Sequence, residues 1–551
     1  MNQTKFLIIL LSLCILPKIL FAQNIESKID KLYQVKGNEP GFSIAVFKKD
    51  EILFQKQYGT TNLDYNIPIT SKTVFDIASI SKQFTAAAIL LLEDEGKLNI
   101  KEPAHKYIDK LPRYKKGNPT IEQLLNQTSG IKEVDPYLGV IDLWFNDYLN
   151  QYQMINIITK VNELRFKPGK HFYYSNANYI LLASIIEKAS GETYSNYLQE
   201  NIFNPLKMVN TTIKDDIYKT IKNRAIGYIE DDGQYDKTHF HSVKFVGDGQ
   251  ILTNPSDMHK WHQNLRNSII GSPELWKKMH TKATLNNGKK INYGLGVEFE
   301  THNGYEAVGF DGMSVGGFVS KYLYFPTLEI GFFTTQNKYE DEFRDTFFDF
   351  VDLYVTPNPK NETLDEKYNY IKLSNSELKK YEGHYLYYYN DDDKKANSIQ
   401  VKNNKLIAFT LDGDKIAELK PIGNNEFIFL MGNSKALVKF NLKRGNTYFT
   451  YNEFNNDKPW VFNQFQPYEH TEKELNQFEG EYYNTDFQIG KKIRLDKGSL
   501  YLYYKNGAYK TELTSISKNI LEISISPIEF VRNEKNEIIS FTLMGIEFEK
   551  L

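Results

Sequence analysis

The chain has 551 residues and a formal net charge of -2, with 67 Lys and Arg against 69 Asp and Glu. That length exceeds one ordinary domain and implies about two to four. The balanced charge argues against a nucleic-acid binder, which needs a basic face, and the 38 Tyr and 36 Phe favour β-rich regions.

Lys5 precedes the apolar run "FLIILLSLCILPKILFA", which ends at Ala22 before Gln23. A positive head, an apolar stretch and a small residue read as a secretory signal peptide over 1–22. Lys18 departs from that pattern, so an uncleaved membrane anchor stands as the alternative. Cys14 is the only cysteine, and Leu13 before it is too large for a lipobox. A mature chain without cysteine excludes disulfides and thiolate metal sites. No later segment is apolar enough to span a bilayer.

"GFSIAVFKKDEILFQKQYG" at 41–59 predicts two strands joined by the charged turn "KKDE". "SKQFTAAAILLLEDEGKL" at 81–98 has helical periodicity and stops at Gly96. Mostly helical patterns fill about 120–265, such as "YILLASIIEKASG" at 179–191. From about 290 strands return in "YGLGVEFE", "GGFVSKYLYFP" and "EIGFFTTQN", followed by the helical "DEFRDTFFDFVDLYV". Strands at both ends with helices between predict one sheet closed by its two termini, over 28–356. A Pro/Asn-rich linker follows at 357–373. "SELKKYEGHY" at 376–385 then repeats as "KELNQFEGEY" at 473–482, Gly383 falling on Gly480. The repeat predicts two antiparallel units, 374–460 and 470–551, each a short helix followed by a meander that closes as a barrel. "NDDDKK" at 390–395 reads as a solvated turn, and "YLYYY" at 385–389 as strand packing ahead of a sugar-stacking face.

The pattern S-x-x-K occurs four times, from Ser79, Ser129, Ser376 and Ser515. Alone it is a cap or a surface pair. Ser79 differs because a long helix follows it. Residues three apart on a helix share a face, so the Lys82 amine reaches the serine oxygen, and the helix start favours a developing oxyanion. Such a lysine must be neutral to act as a base, which requires burial. Ser515 lies in the alternating run "KTELTSISKNILEISIS", where residues three apart face opposite ways. Ser376 reads as the N-cap of "SELKKY" and Ser129 as part of a turn.

"FKPGKHFYYSNANYILL" at 166–182 sets Tyr174, Ser175 and Asn176 between a Pro-Gly turn and a helix. Tyr174 is a candidate proton shuttle and Asn176 a partner for a substrate amide. The second "YSN", Tyr194–Asn196, lies inside a helical pattern and reads as packing. "VGFDGMSVGGFVS" at 308–320 is a glycine-rich strand suited to close approach and to donating a backbone N–H. His259 and His262 stand at helical spacing with His239 and His241 near in sequence, and packing outweighs a metal site.

"FDIASISKQFTAAAI", "LLNQTSGI", "FKPGKHFYYSNANYILLASIIEKASGETYSNYLQENIFNPLKM", "GDGQILTNPSDMHKW" and "GFDGMSVGGF" follow one another in the order found in penicillin-recognising serine hydrolases. The chain resembles that family over about 30–356, in its class C β-lactamase, D-alanyl-D-alanine carboxypeptidase, D-aminopeptidase and esterase branch. The resemblance implies an α+β catalytic domain, an antiparallel sheet flanked by helices with a helical lobe. The two repeats resemble the lipocalin-like barrels that follow this domain in D-aminopeptidase-like relatives. By motif position Ser79 would be acylated, Lys82 and Tyr174 would exchange its proton, and Asn176 would orient the substrate amide. The N–H groups of Ser79 and Met313, beside Gly312, would form the oxyanion hole. No metal or organic cofactor is implied. The substrate would be a small ester, a peptide or a peptidoglycan-like compound. Phe310 stands where relatives carry Lys or His, which weakens the case for β-lactam and D-Ala-D-Ala substrates and suggests an apolar edge. Gln127 stands where relatives often have His and reads as structural. The rival reading is a catalytically silent protein that keeps the cleft and binds cell-wall peptides or a protein partner.

Overall fold

A computed structural model of the chain describes residues 25–551, apart from 144–146, 239–242, 341, 360–367, 391–392, 412, 414, 424, 432–433, 444–445, 454–459 and 524–525. The leader over 1–22, together with His239 and His241, lies outside the described residues. Contacts divide the chain into two compact units.

The first unit takes residues up to 102, 179–282 and 292–363. Its sheet begins with β1 (Phe42–Lys48) and β2 (Glu51–Tyr58). The helices α1 (Ser81–Asp94), α2 (Asn176–Ser190) and α3 (Pro255–Asn267) come next, α2 belonging here from Tyr179 onward. Then follow β3 (Glu298–His302), β4 (Tyr305–Ser314), β5 (Phe318–Phe325) and β6 (Ile330–Gln336), and last α4 (Phe343–Asp352). The spatial order is β3-β4-β5-β6-β1-β2, all antiparallel. The termini do close the sheet: β6 pairs with β1 in the register Ile44 to Thr334.

β1 reads "FSIAVFK" and is buried along all but its last residue, because both its faces are covered. Phe42, Ile44 and Val46 meet the N-terminal helix and α4 through Ile29, Tyr33, Phe347 and Phe350. Phe47 points the other way, against His259 and His262 of α3. Those histidines are packed in aromatic surroundings, and His262 Nδ1 meets the Tyr322 hydroxyl at 2.9 Å. α1 is buried from Ser81 to Leu92, as its apolar composition demands, and stops before Gly96 at φ +71. The largely helical reading of 120–265 needs one correction. Tyr228–Asp231 and Gln234–Lys237 form a hairpin around Asp232-Gly233, both at positive φ, and an Asp-Gly turn favours a hairpin over a helix.

The second unit takes 103–178, 283–291 and 364–551. Its C-terminal part is two closed barrels of eight antiparallel strands, spanning 383–465 and 480–550. Equivalent positions of the repeat do the same work. Tyr385 donates its hydroxyl to Tyr381 O at 3.0 Å, and Tyr482 donates to Phe478 O at 2.8 Å. Both interiors are filled with rings, Phe449 stacking on Phe462 at 4.5 Å and Phe541 on Phe548 at 4.9 Å. Tyr385 and Tyr387 of "YLYYY" are buried in that packing. The helix before the first barrel is capped by Ser374, not Ser376. Ser374 and Glu377 form a capping box, as Thr471 and Glu474 do before the second.

Candidate active site

In the first unit the strand Phe75–Asp76 ends in a 3-10 turn, Ala78–Ile80, which runs straight into α1. Ser79 sits on that turn. Lys82 has no exposed surface, and its Nζ donates to Ser79 Oγ at 3.0 Å and to Asp248 O at 2.8 Å. The amine also lies over the Tyr179 ring, 5.6 Å from its centre. The i to i+3 spacing thus delivers the amine to the hydroxyl, within reach for proton transfer.

The turn is held under strain. Ala78 adopts φ +47, a left-handed conformation that costs an L-residue about 1–2 kcal/mol. Asp76 Oδ1 accepts the Ala78 N–H at 2.8 Å and offsets that cost. Burial raises the Asp76 carboxyl above its usual range, opposed by the Ala78 N–H and by the charges of Lys214 and Arg224. Burial likewise draws the Lys214 amine down to about 8, against the attraction of Asp76. No spacing in the sequence pointed to this buried cluster, whose members come from three separate segments.

β4 crosses the same turn. A Cβ on Gly312 would lie 2.2 Å from Ile77 O, so only glycine permits the approach. Ser320 of β5 donates its hydroxyl to Ile77 O at 3.0 Å and fixes the crossing. Met313 follows with an exposed side chain, beyond the point where β3 stops pairing at Gly309. Phe310 is buried edge-on to Tyr293, with ring centres 5.9 Å apart. Ser79, Lys82, Phe310, Gly312 and Met313 therefore belong to one unit.

Tyr174 and Asn176 belong to the other unit. Tyr174 lies in the loop before α2, whose preceding residue, Tyr173, stacks under Arg165 at 3.6 Å. Asn176 opens α2. Its backbone N–H donates to Glu133 Oε2 at 2.7 Å, and its Nδ2 donates to Asp135 Oδ2 at 3.0 Å. Burial and then the Asp135 charge push the Glu133 carboxyl well above the carboxylate range, opposed by the N–H groups it accepts. Gln127, buried at φ +61, accepts from Ser175 N at 3.0 Å and from Asn178 Nδ2 at 2.5 Å. Ser129 donates to Asn178 Oδ1 at 2.7 Å. Gln127 and Ser129 thus brace the "YSNAN" loop. Glu133 and Asp135 were missed in the sequence, where "IKEVDP" gives only two acids after a turn.

The remaining copies of the motifs are structural. Tyr194 of the second "YSN" is buried with its hydroxyl 2.7 Å from Thr85 Oγ1. Ser515 lies in the strand Tyr509–Ser517 with its Oγ 2.8 Å from His470 Nδ1. Among the described residues no cluster of three or more His, Cys, Asp or Glu is arranged to hold a metal, and no helix is long and apolar enough to cross a membrane.

The Protein flp of Staphylococcus aureus (strain MW2) is 36% identical over 213 residues, covering 37% of this chain and 41% of that protein. Penicillin-binding protein 4* of Bacillus subtilis (strain 168) is 29% identical over 308 residues, covering 50% of this chain and 63% of that protein. The matches thus span less than two thirds of either relative. The fold is similar to that of the octameric penicillin-binding protein homologue from Pyrococcus abyssi, with a TM-score of 0.54 and 24% identity over 80% of this chain and 99% of that one. Residues 21–353, more than half of the chain and including the Ser79 turn and the glycine-rich strand, match the Beta-lactamase family, and the chain belongs to this family of penicillin-recognising serine hydrolases.

Proposed function

We propose that the protein is an exported serine hydrolase that forms an acyl-enzyme at Ser79 on ester or amide substrates. The observation that carries this reading is the buried Lys82 amine 3.0 Å from Ser79 Oγ. In this reading Ser79 Oγ attacks the substrate carbonyl while Lys82 and Tyr174 take its proton. The proton passes to the leaving alcohol or amine as the tetrahedral intermediate collapses to the acyl-enzyme. Water then enters by the same proton path and releases the acid. Asn176 orients the substrate amide, and the N–H groups of Ser79 and Met313 stabilise the oxyanion. One such donor is worth about 10²–10³ in rate.

Phe310 bears on the substrate class. An apolar ring in place of the usual cation favours esters and neutral amides, including those of D-amino acids, over substrates that need a carboxylate partner. Relatives named as penicillin-binding proteins support a peptide or peptidoglycan-like compound as substrate. Export is supported by the leader pattern and by a chain without cysteine after Cys14.

The test is a panel of p-nitrophenyl esters, D-amino-acid amides and a chromogenic β-lactam, run beside fluorophosphonate labelling and Ser79→Ala. Turnover of esters or amides and labelling that both vanish in Ser79→Ala are expected. A well-folded wild type that neither labels nor turns over any substrate would establish the silent binder instead.

A further inference from the structure

Within the second unit, ten residues link Asn176 to the second barrel. At one end Glu133 accepts the Asn176 N–H at 2.7 Å and Asp135 accepts its side-chain amide at 3.0 Å. Asp135 opens the short helix Asp135–Val140, which carries the buried Tyr137. Tyr137 donates its hydroxyl to Met544 O at 2.6 Å, at the tip of the hairpin joining the last two strands of the barrel. Beyond the helix, Asp142 pairs with Lys491 of the barrel, whose side chain has no exposed surface.

These contacts are built rather than incidental. Asp142 and Met544 both adopt left-handed backbone, at φ +61 and +53, Met544 together with Gly545 in the two-residue turn of its hairpin. Burial draws the Lys491 amine below its usual range, and the Asp142 carboxylate opposes this. A cation in that position is retained only with its partner. Lys160 adds a hydrogen bond to Asp486 O at 2.5 Å.

We propose that the second barrel is a clamp for the substrate-orienting asparagine: Lys491 and Met544 hold the 133–142 segment through Asp142 and Tyr137, and Glu133 and Asp135 pass that placement to Asn176. Lys491, Tyr137 and Asp135 are positioning residues, since none is assigned a contact with substrate. The clamp rests on the reading of Asn176 given above for its catalytic consequence, but not for its mechanics. It gives the barrel a role in the hydrolase site that needs no ligand inside the barrel.

Two variants of the full chain test it. Lys491→Met keeps the length of the side chain and removes its charge; Tyr137→Phe removes one hydroxyl. Each should lower kcat/KM for an amide substrate about tenfold, since small misplacements near the chemistry are costly. Fluorophosphonate labelling of Ser79 should change less than about twofold, because a reactive phosphonyl centre does not need an oriented amide. In an Asn176→Ala background neither variant should cost anything further. Hydrogen–deuterium exchange should rise over 131–143 and also over 173–178 in both variants. Exchange that rises at the barrel contact without spreading to 173–178 would overturn the clamp, as would amide turnover equal to wild type in both folded variants. The same fold-loss with and without Asn176, or labelling that falls in step with turnover, would also overturn it. If Asn176→Ala alone leaves amide turnover intact, the reading of Asn176 fails, and the exchange experiment still decides the clamp.

Discussion

At Ser79–Lys82 the sequence Ser-Ile-Ser-Lys lies on a 3-10 turn that runs into a long helix, whereas at Ser515–Lys518 the same four residues finish a strand and enter a turn. On the helix the lysine amine comes back onto the serine. In the barrel the Ser515 hydroxyl meets His470 instead. His470 Nε2 lies 3.1 Å from Lys518 O, which can only accept, so Nδ1 is left to accept from Ser515. One copy therefore holds an amine against a hydroxyl at a helix start. The other ties the segment before the second barrel to its fourth strand. Spacing becomes chemistry only where the backbone turns residues three apart onto one face.

The sharpest way to break this contrast is to remove each serine. Ser79→Ala should abolish labelling and reduce turnover by about 10⁶-fold, as loss of a nucleophile does. Ser515→Ala should leave both unchanged in the same assays, and loss of activity there would overturn the assignment.

The lysines come next. Lys82→Met should cost about 10²–10⁴ in turnover, the range for positioned proton transfer. Lys518→Met should change stability by less than about 0.5 kcal/mol, measured by urea unfolding, and turnover not at all.

At the second copy the position of the buried Asp76 is taken by the exposed Glu512. Asp76→Ala should slow Ser79 labelling about tenfold by releasing the Ala78 turn. It should also lower stability by about 1–3 kcal/mol through the unsatisfied Ala78 N–H. Asp76→Asn keeps an acceptor oxygen and should recover most of the labelling rate; failure to recover would mean that the charge, not the hydrogen bond, holds the turn.

Lys214 beside it gives a pH signature. Its folded value of about 8 lies below the ordinary 10.5. Between those values the unfolded chain binds the extra proton, so this group makes stability rise with pH from about 8 to 10.5. Thermal unfolding at pH 8 and pH 10 should show that rise in wild type and a smaller one in Lys214→Met.

A modest effect on stability alone is expected at the serine of the second copy. Ser515→Ala should lower stability by about 1 kcal/mol through the lost His470 contact. Calorimetry of the full chain reads it.

Much of this was legible beforehand, for identifiable reasons. The closure of the sheet could be read because "SIAVF" and "EIGFFTT" are strand-like runs at opposite ends of a helical stretch. The barrels could be read because the chain repeats, and Tyr385 falls on Tyr482 in the structure as in the sequence. The Ser79–Lys82 contact is local and follows from helix geometry. Long-range polar contacts leave no such trace. Nothing in the spacing of Glu133 and Asn176, or of Asp142 and Lys491, sets these pairs apart from other acids, amides and lysines. The serine that opens "SELKKY" points to Ser376 as the cap, while the box that forms, Ser374 with Glu377, starts two residues earlier.

The pairing of β1 with β6 has a consequence for how the chain reaches its native state. Gly41 N donates to Asn337 Oδ1 at 2.8 Å across 296 positions of the chain. β1 therefore lacks one of its two neighbours until residues 330–336 exist, and loop closure of that length must precede its reward. Synthesis at about 5–20 residues per second leaves β1 waiting tens of seconds for its partner. The six-stranded sheet of the unit that carries Ser79 is therefore completed only late in synthesis.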